Sequence, residues 1–156
     1  MDAEMMTLDQ QIITRYTDQP ARLPAELRRR IEHAWGGAAV QLYALADLDH
    51  ALRLAETWVA LGSGHVALAR RDGDDWTVRL IERRAVTALH EAPGLSATTL
   101  TVLGAAGEPP LAVLRYTHRQ RRAVENLRFV LEEALAGRAV PAEDGDRLYA
   151  DAVARP

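Results

Sequence analysis

The sequence predicts a mainly β domain, a seven-stranded barrel or sandwich capped by a C-terminal α-helix. Three observations predict it. Seven short β-compatible runs follow one another between Val40 and Tyr116, punctuated by Gly, Pro and Asp-containing turns. A marked helix start stands directly after the last run, at Thr117. The 156 residues, 48% hydrophobic and 26% charged, suffice for one core and are too few for two ordinary domains. We expect an N-terminal arm at 1–22, the β domain with a preceding short helix at 23–138, and a linker or tail at 139–156.

The arm is polar apart from Met5, Met6, Leu8, Ile12 and Ile13, with no breaker before Pro20, and reads as loose and partly helical. From Pro24 the pattern changes. Proline suits a first helical turn, Glu26 favours the helix dipole, and Leu27, Ile31 and Trp35 recur at four-residue spacing until Gly36 and Gly37 end the helix. The period then shortens toward two. Val40, Leu42 and Ala44 share one face of a first strand, Gln41 and Tyr43 take the other, and Asp47 to His50 breaks it. Thr57–Leu61 and His65–Ala69 form the second and third strands, joined through Gly62, Ser63 and Gly64.

A turn centred on Asp72 and Gly73 leads to the fourth strand, where Trp76, Val78 and Leu80 alternate with Thr77 and Arg79. Ala85–Leu89 is a shorter fifth run before Pro93 and Gly94, and its alanines also suit a helix. The β-branched Thr98–Leu103 is the sixth strand and Leu111–Tyr116 the seventh, after a loop holding two glycines and two prolines. Thr117 and Gln120 have capping-box spacing, so the Thr117 hydroxyl is expected to cap the helix. Val124, Leu127, Leu131 and Ala134 make its apolar stripe, Phe129 and Val130 widen it, and Gly137 offers a left-handed end.

The composition narrows the chemistry. The chain has no cysteine, which removes disulfides, thiolate zinc sites and thiol nucleophiles. It has no lysine, so a P-loop of the G-x-x-x-x-G-K form is excluded, and its glycines do not form G-x-G-x-x-G before a helix. A net charge of −3 argues against a nucleic-acid partner. Met1 to Gln11 lacks the apolar core of a secretory signal, and no run nears the roughly 20 apolar residues of a spanning helix, so a cytoplasmic location is expected.

His33, His50, His65, His90 and His118 lack ligand spacing, so no metal is expected. His90 and Glu91, adjacent on a strand, point to opposite faces, which leaves no acid–base pair. Asp72, Asp74 and Asp75 depart from a calcium loop and read as a solvated turn. We therefore expect no catalytic residues, no cofactor and no enzyme activity in the chain itself. One basic concentration stands apart: Arg115, Arg119, Arg121 and Arg122, with His118 among them, at the junction of the last strand and the helix. It suits an anionic lipid surface or an acidic partner. It equally suits arginine stems covering apolar surface, with Glu125 in helical reach.

The strand count and closing helix, over roughly Ala38 to Gly137, resemble the pleckstrin-homology-like superfold. Within that span the stretches Tyr43-Ala-Leu-Ala-Asp-Leu-Asp49, Ala55-Glu-Thr-Trp-Val-Ala-Leu-Gly62, Glu91-Ala-Pro-Gly-Leu-Ser96 and Leu114-Arg-Tyr-Thr-His-Arg-Gln-Arg-Arg122 are similar to the cytosolic N-terminal region of certain bacterial ABC-transporter ATP-binding and permease proteins. The resemblance implies a non-catalytic binding or regulatory accessory domain at the inner face of the bacterial inner membrane. Its partners would be the transmembrane and ATP-binding domains of the same or an associated transporter, encoded beyond Pro156. Inositide binding is not implied, because the first hairpin loop offers Asp47, Asp49 and His50 with only Arg53 nearby. The alternative is a free-standing lipid- or protein-binding adaptor using the four arginines, and a small enzyme resting on His90 and Glu91 alone is a distant third. Unpaired sheet edges would also allow a homodimer.

Overall fold

The computed structural model describes residues 21–138, so the expected arm up to Pro20 and the tail from Ala139 lie outside the described residues. The elements are α1 (Ala25–Ala34), β1 (Leu42–Leu48), β2 (Leu54–Leu61), β3 (His65–Asp72), β4 (Asp75–Glu82), β5 (Ala88–Pro93), β6 (Thr98–Leu103), β7 (Ala112–Tyr116) and α2 (Arg121–Leu135). Short 3-10 turns at Arg83–Ala85 and His118–Gln120 precede β5 and α2.

All paired strands are antiparallel, in the order β4-β3-β2-β1-β7-β6-β5. The sheet is not closed, which corrects the expected barrel. Closure would need β4 to pair with β5, and the five residues between them prevent it. Arg83 donates from Nη1 to the Gly62 carbonyl at 3.0 Å, Val86 is buried in the core, and the Thr87 N–H donates to the Leu103 carbonyl at 2.9 Å. That last bond commits the following residues to β6. Across the gap, Arg79 Nη1 donates to the Leu111 carbonyl at 2.7 Å.

The two halves of the sheet meet narrowly. β1 and β7 share one register pair, Leu48 with Arg115, beside a register shift between Ala46 and Leu48. An inner core joins the halves. Leu42, Ala44, Val59, Leu61 and Val66 from the first half pack with Leu100, Val102 and Leu114 from the second, under Val124, Leu127 and Leu131 of α2.

A second core lies on the outer face. Leu27, Ile31 and Trp35 pack on Tyr43, Leu45, Trp58, Ala60, Ala67 and Ala69. Each fully buried leucine or isoleucine of α1 contributes roughly 1.5–3 kcal/mol by leaving water, so this short helix is held by packing more than by its own propensity. Glu32 fixes it further by accepting from the Val40 N–H at 2.8 Å. Val40 therefore belongs to the outer core and does not share a face with Leu42 as its spacing predicts. At Gly62 a Cβ would sit 3.0 Å from the Trp35 ring, so a side chain there would push on the outer core.

Three further expectations change. β2 and β3 run longer than their apolar residues indicate, because β2 starts at Leu54, opposite Leu48 of β1, and β3 continues along β4 to Asp72–Asp75. The fifth strand starts at Ala88, since Arg83–Ala85 forms a 3-10 turn. Phe129 is about half exposed and does not widen the buried stripe of α2, which runs through Val124, Leu127, Val130 and Leu131.

Candidate functional site

The junction between β7 and α2 is built differently from a capping box. Thr117 makes no capping bond to the helix. Its N–H donates to Asp47 Oδ1 at 2.8 Å and its hydroxyl to Asp47 Oδ2 at 2.5 Å. Asp47 is buried, so its carboxyl needs donors more than the solvent-facing start of the helix does. Gln120, also buried, does not reach back to Thr117 either, and its Oε1 accepts from the Ala21 N–H at 3.2 Å. Together these bonds tie β1, the end of β7 and the segment before α1 to one corner.

The four arginines radiate from this corner unequally. Arg119 and Arg121 are exposed, while Arg115 and Arg122 are half-buried. Arg115 stands on β7 opposite Leu48 and Thr99, at the seam between the two halves. The exposed cationic surface at the helix start is thus Arg119 and Arg121.

Glu91 forms a cluster that sequence reasoning missed. Its Oε2 accepts from Arg128 Nη1 of α2, and its Oε1 accepts from the Tyr116 hydroxyl at 3.4 Å. Burial pushes the Tyr116 phenol up to about 12, with the Glu91 and Glu125 carboxylates adding to it and Arg128 opposing. Glu91 therefore fastens β5 to α2, and the exposed His90 takes no part. The signal available in sequence was Glu91 two residues after Leu89, on the same strand face.

The Asp72–Asp75 turn divides its carboxyls among separate partners. Asp72 accepts from Thr77 at 2.6 Å and lies by Arg70; Asp75 accepts from the Trp76 N–H and from Arg30. These bonds hold both carboxyls below the usual aspartate range. Among the described residues no three His, Asp or Glu side chains gather as a metal site. No described helix is long and apolar enough to cross a membrane.

An open groove of about 970 Å³ lies at the far end of α2, between the β2–β3 turn, the end of β4 and the helix. Val130 and Leu131 form its floor and half-exposed Leu135 its rim. The basic side chains around it are held in place: Arg83 on Gly62, Arg84 on Glu82 and Arg138 on Glu133, while His65 stacks on Trp35 at 5.4 Å between ring centres. The groove offers an apolar floor with a polar, largely preorganised rim, which suits binding of a chain segment. It too was missed in sequence, where Leu135 and the pair Arg83–Arg84 were its traces.

Comparison with protein-family models, with curated proteins and with solved structures finds no match to this chain.

Proposed function

We propose that the chain is a non-catalytic binding and regulatory domain of pleckstrin-homology-like type, acting as the cytosolic N-terminal domain of a bacterial ABC exporter. The observation that carries this reading is the groove, whose walls come from the sheet and from α2, which follows the last strand after one 3-10 turn. A surface made from such packed elements suits holding a neighbouring domain. The strand order with a single helix over the inner core supports the pleckstrin-like assignment. The stretches quoted above support the transporter assignment.

The test uses the complete polypeptide encoded by the reading frame that contains this chain. ATP hydrolysis by that protein is measured as encoded, with residues 1–138 deleted, and with Leu135→Glu in the groove rim. We expect hydrolysis to survive deletion with an altered rate, and the groove variant to shift it in the same direction. A reading frame without membrane and ATP-binding domains, or an unchanged rate in both variants, overturns the proposal.

Exposed Arg119 and Arg121 favour a second reading, an adaptor for anionic lipid surfaces. Sedimentation with anionic vesicles should then show salt-sensitive binding that Arg119→Glu with Arg121→Glu abolishes. Equal binding by the variant removes this reading.

A further inference from the structure

The groove at the far end of α2 is also where the described chain leaves the fold. Gly137 and Arg138, the last two described residues, both line it. Gly137 holds a φ of 77°, its N–H donates to the Ala134 carbonyl at 3.0 Å, and the Arg138 N–H donates to the Glu133 carbonyl at 2.8 Å. This pair of bonds is a Schellman turn, which ends the helix and takes the chain off its axis. The chain therefore continues from the groove wall, beside half-exposed Leu135.

The sequence that follows matches the groove in kind and in order. Val130, Leu131 and Leu135 make an apolar patch next to the exit point, and Ala139, Val140 and Pro141 come directly after Arg138. Glu143, Asp144 and Asp146 come next. On the sheet side of the groove, Arg83 donates to the Gly62 carbonyl at 3.0 Å and to the Ser63 carbonyl at 3.4 Å. Both acceptors are neutral, so Arg83 is fixed in place while its charge has no carboxylate partner among the described residues. The other two rim arginines are already neutralised, Arg84 by Glu82 and Arg138 by Glu133, and are not needed. The extended chain from Arg138 to Glu143 reaches about 17 Å, enough to cross a groove of about 970 Å³.

We propose that residues 139–146 of the same chain occupy this groove, with Val140 and Pro141 over the apolar floor and the carboxylates of residues 143–146 on Arg83. A segment tethered beside its own seat acts at an effective concentration in the millimolar range, so a shallow, open groove suffices. Proline at position 141 favours extended backbone and leaves no N–H to satisfy. The groove is then self-occluded, and a neighbouring domain reaches it only by displacing the tail. This inference rests on the reading of the groove as a binding surface and is independent of the exporter assignment.

The absence of cysteine allows the seat to be footprinted in the full chain. Ala134→Cys places one thiol at an exposed position of the groove wall, and its rate with a neutral maleimide reports cover. Glu143→Arg with Asp144→Arg and Asp146→Arg, or Val140→Asp alone, should speed that reaction about fivefold, the factor for a segment seated roughly four-fifths of the time. Raised salt should act in the same direction. Ser96→Cys, exposed in the β5–β6 turn at the opposite end of the sheet, should react at one rate with either tail. Equal rates at position 134 with the native and altered tails overturn the inference and leave the ATP-hydrolysis test of the groove untouched. Cover that weakens on dilution comes from the tail of a second copy and overturns it as well.

Discussion

Strands β1, β2 and β3 are covered on both faces, β4 is buried only at Ile81 with Trp76 and Val78 half-buried on the outer face, and β5, β6 and β7 are covered on one. In β1, six consecutive residues from Leu42 to Asp47 are buried, because α1 covers the outer face and α2 the inner. In β5 no residue is fully buried, and the outer core takes nothing from β5, β6 or β7. The difference teaches where stability and availability lie. Strands β1 to β3 carry two cores and serve as the scaffold, with β4 at its margin. The β5–β7 half hangs from the inner core, from the Asp47–Thr117 corner and from the Glu91–Arg128 fastening, and leaves its outer face to solvent.

The sharpest way to break the comparison is Trp58→Ala, which empties the centre of the outer core. It should cost about 3–5 kcal/mol in denaturant unfolding. Asp47→Ala leaves the Thr117 N–H without its acceptor and should cost about 1–3 kcal/mol by the same measurement. Its effect on exchange of β7 amides should exceed its effect on β3.

Tyr116 supplies a pH test of the β5–β7 half. Its phenol is raised to about 12 from an ordinary 10.0, so the unfolded chain loses the proton first as pH rises. The contribution is complete below pH 10 and is lost progressively toward pH 12, so the unfolding midpoint should fall across that window. Tyr116→Phe should remove that share of the decline.

Two smaller changes complete the series. Leu52 holds a φ of 60° in the β1–β2 turn, a conformation that suits glycine, so Leu52→Gly should raise stability by up to about 1 kcal/mol. Val113, exposed on β7, should change stability by less than about 0.5 kcal/mol when replaced by alanine. Equal costs for Val113→Ala and Trp58→Ala would erase the distinction between the halves.

The same contrast explains what could be read from the sequence. The regular elements were legible where alternation or a breaker marked them: α1 before Gly36, the Gly62–Gly64 turn, and Thr98–Leu103. The second core was less legible. The alternation places Tyr43 on the other face of the first strand and assigns no face to Leu45, Trp58 or Ala60, yet a strand apolar on both faces signals cover on both. Openness of the sheet depended on where Arg83 and Thr87 make their bonds, and nothing in the spacing of those residues reveals it. The capping box failed for a similar reason. Thr117 and Gln120 stand at the right spacing, but Asp47, 70 residues away, competes for Thr117, and the segment before α1 takes Gln120. Of the candidate site, the arginine concentration was visible and the groove was not, since its walls come from three distant stretches of chain.

Site-resolved amide hydrogen exchange of the full chain tests the division between the halves most directly. Amides of β1, β2 and β3 that bond within the sheet should exchange only through global unfolding, while those of β5 should exchange through local opening at clearly lower free energy. Protection in β5 equal to or greater than that in β2 would contradict a doubly covered scaffold carrying a singly covered half.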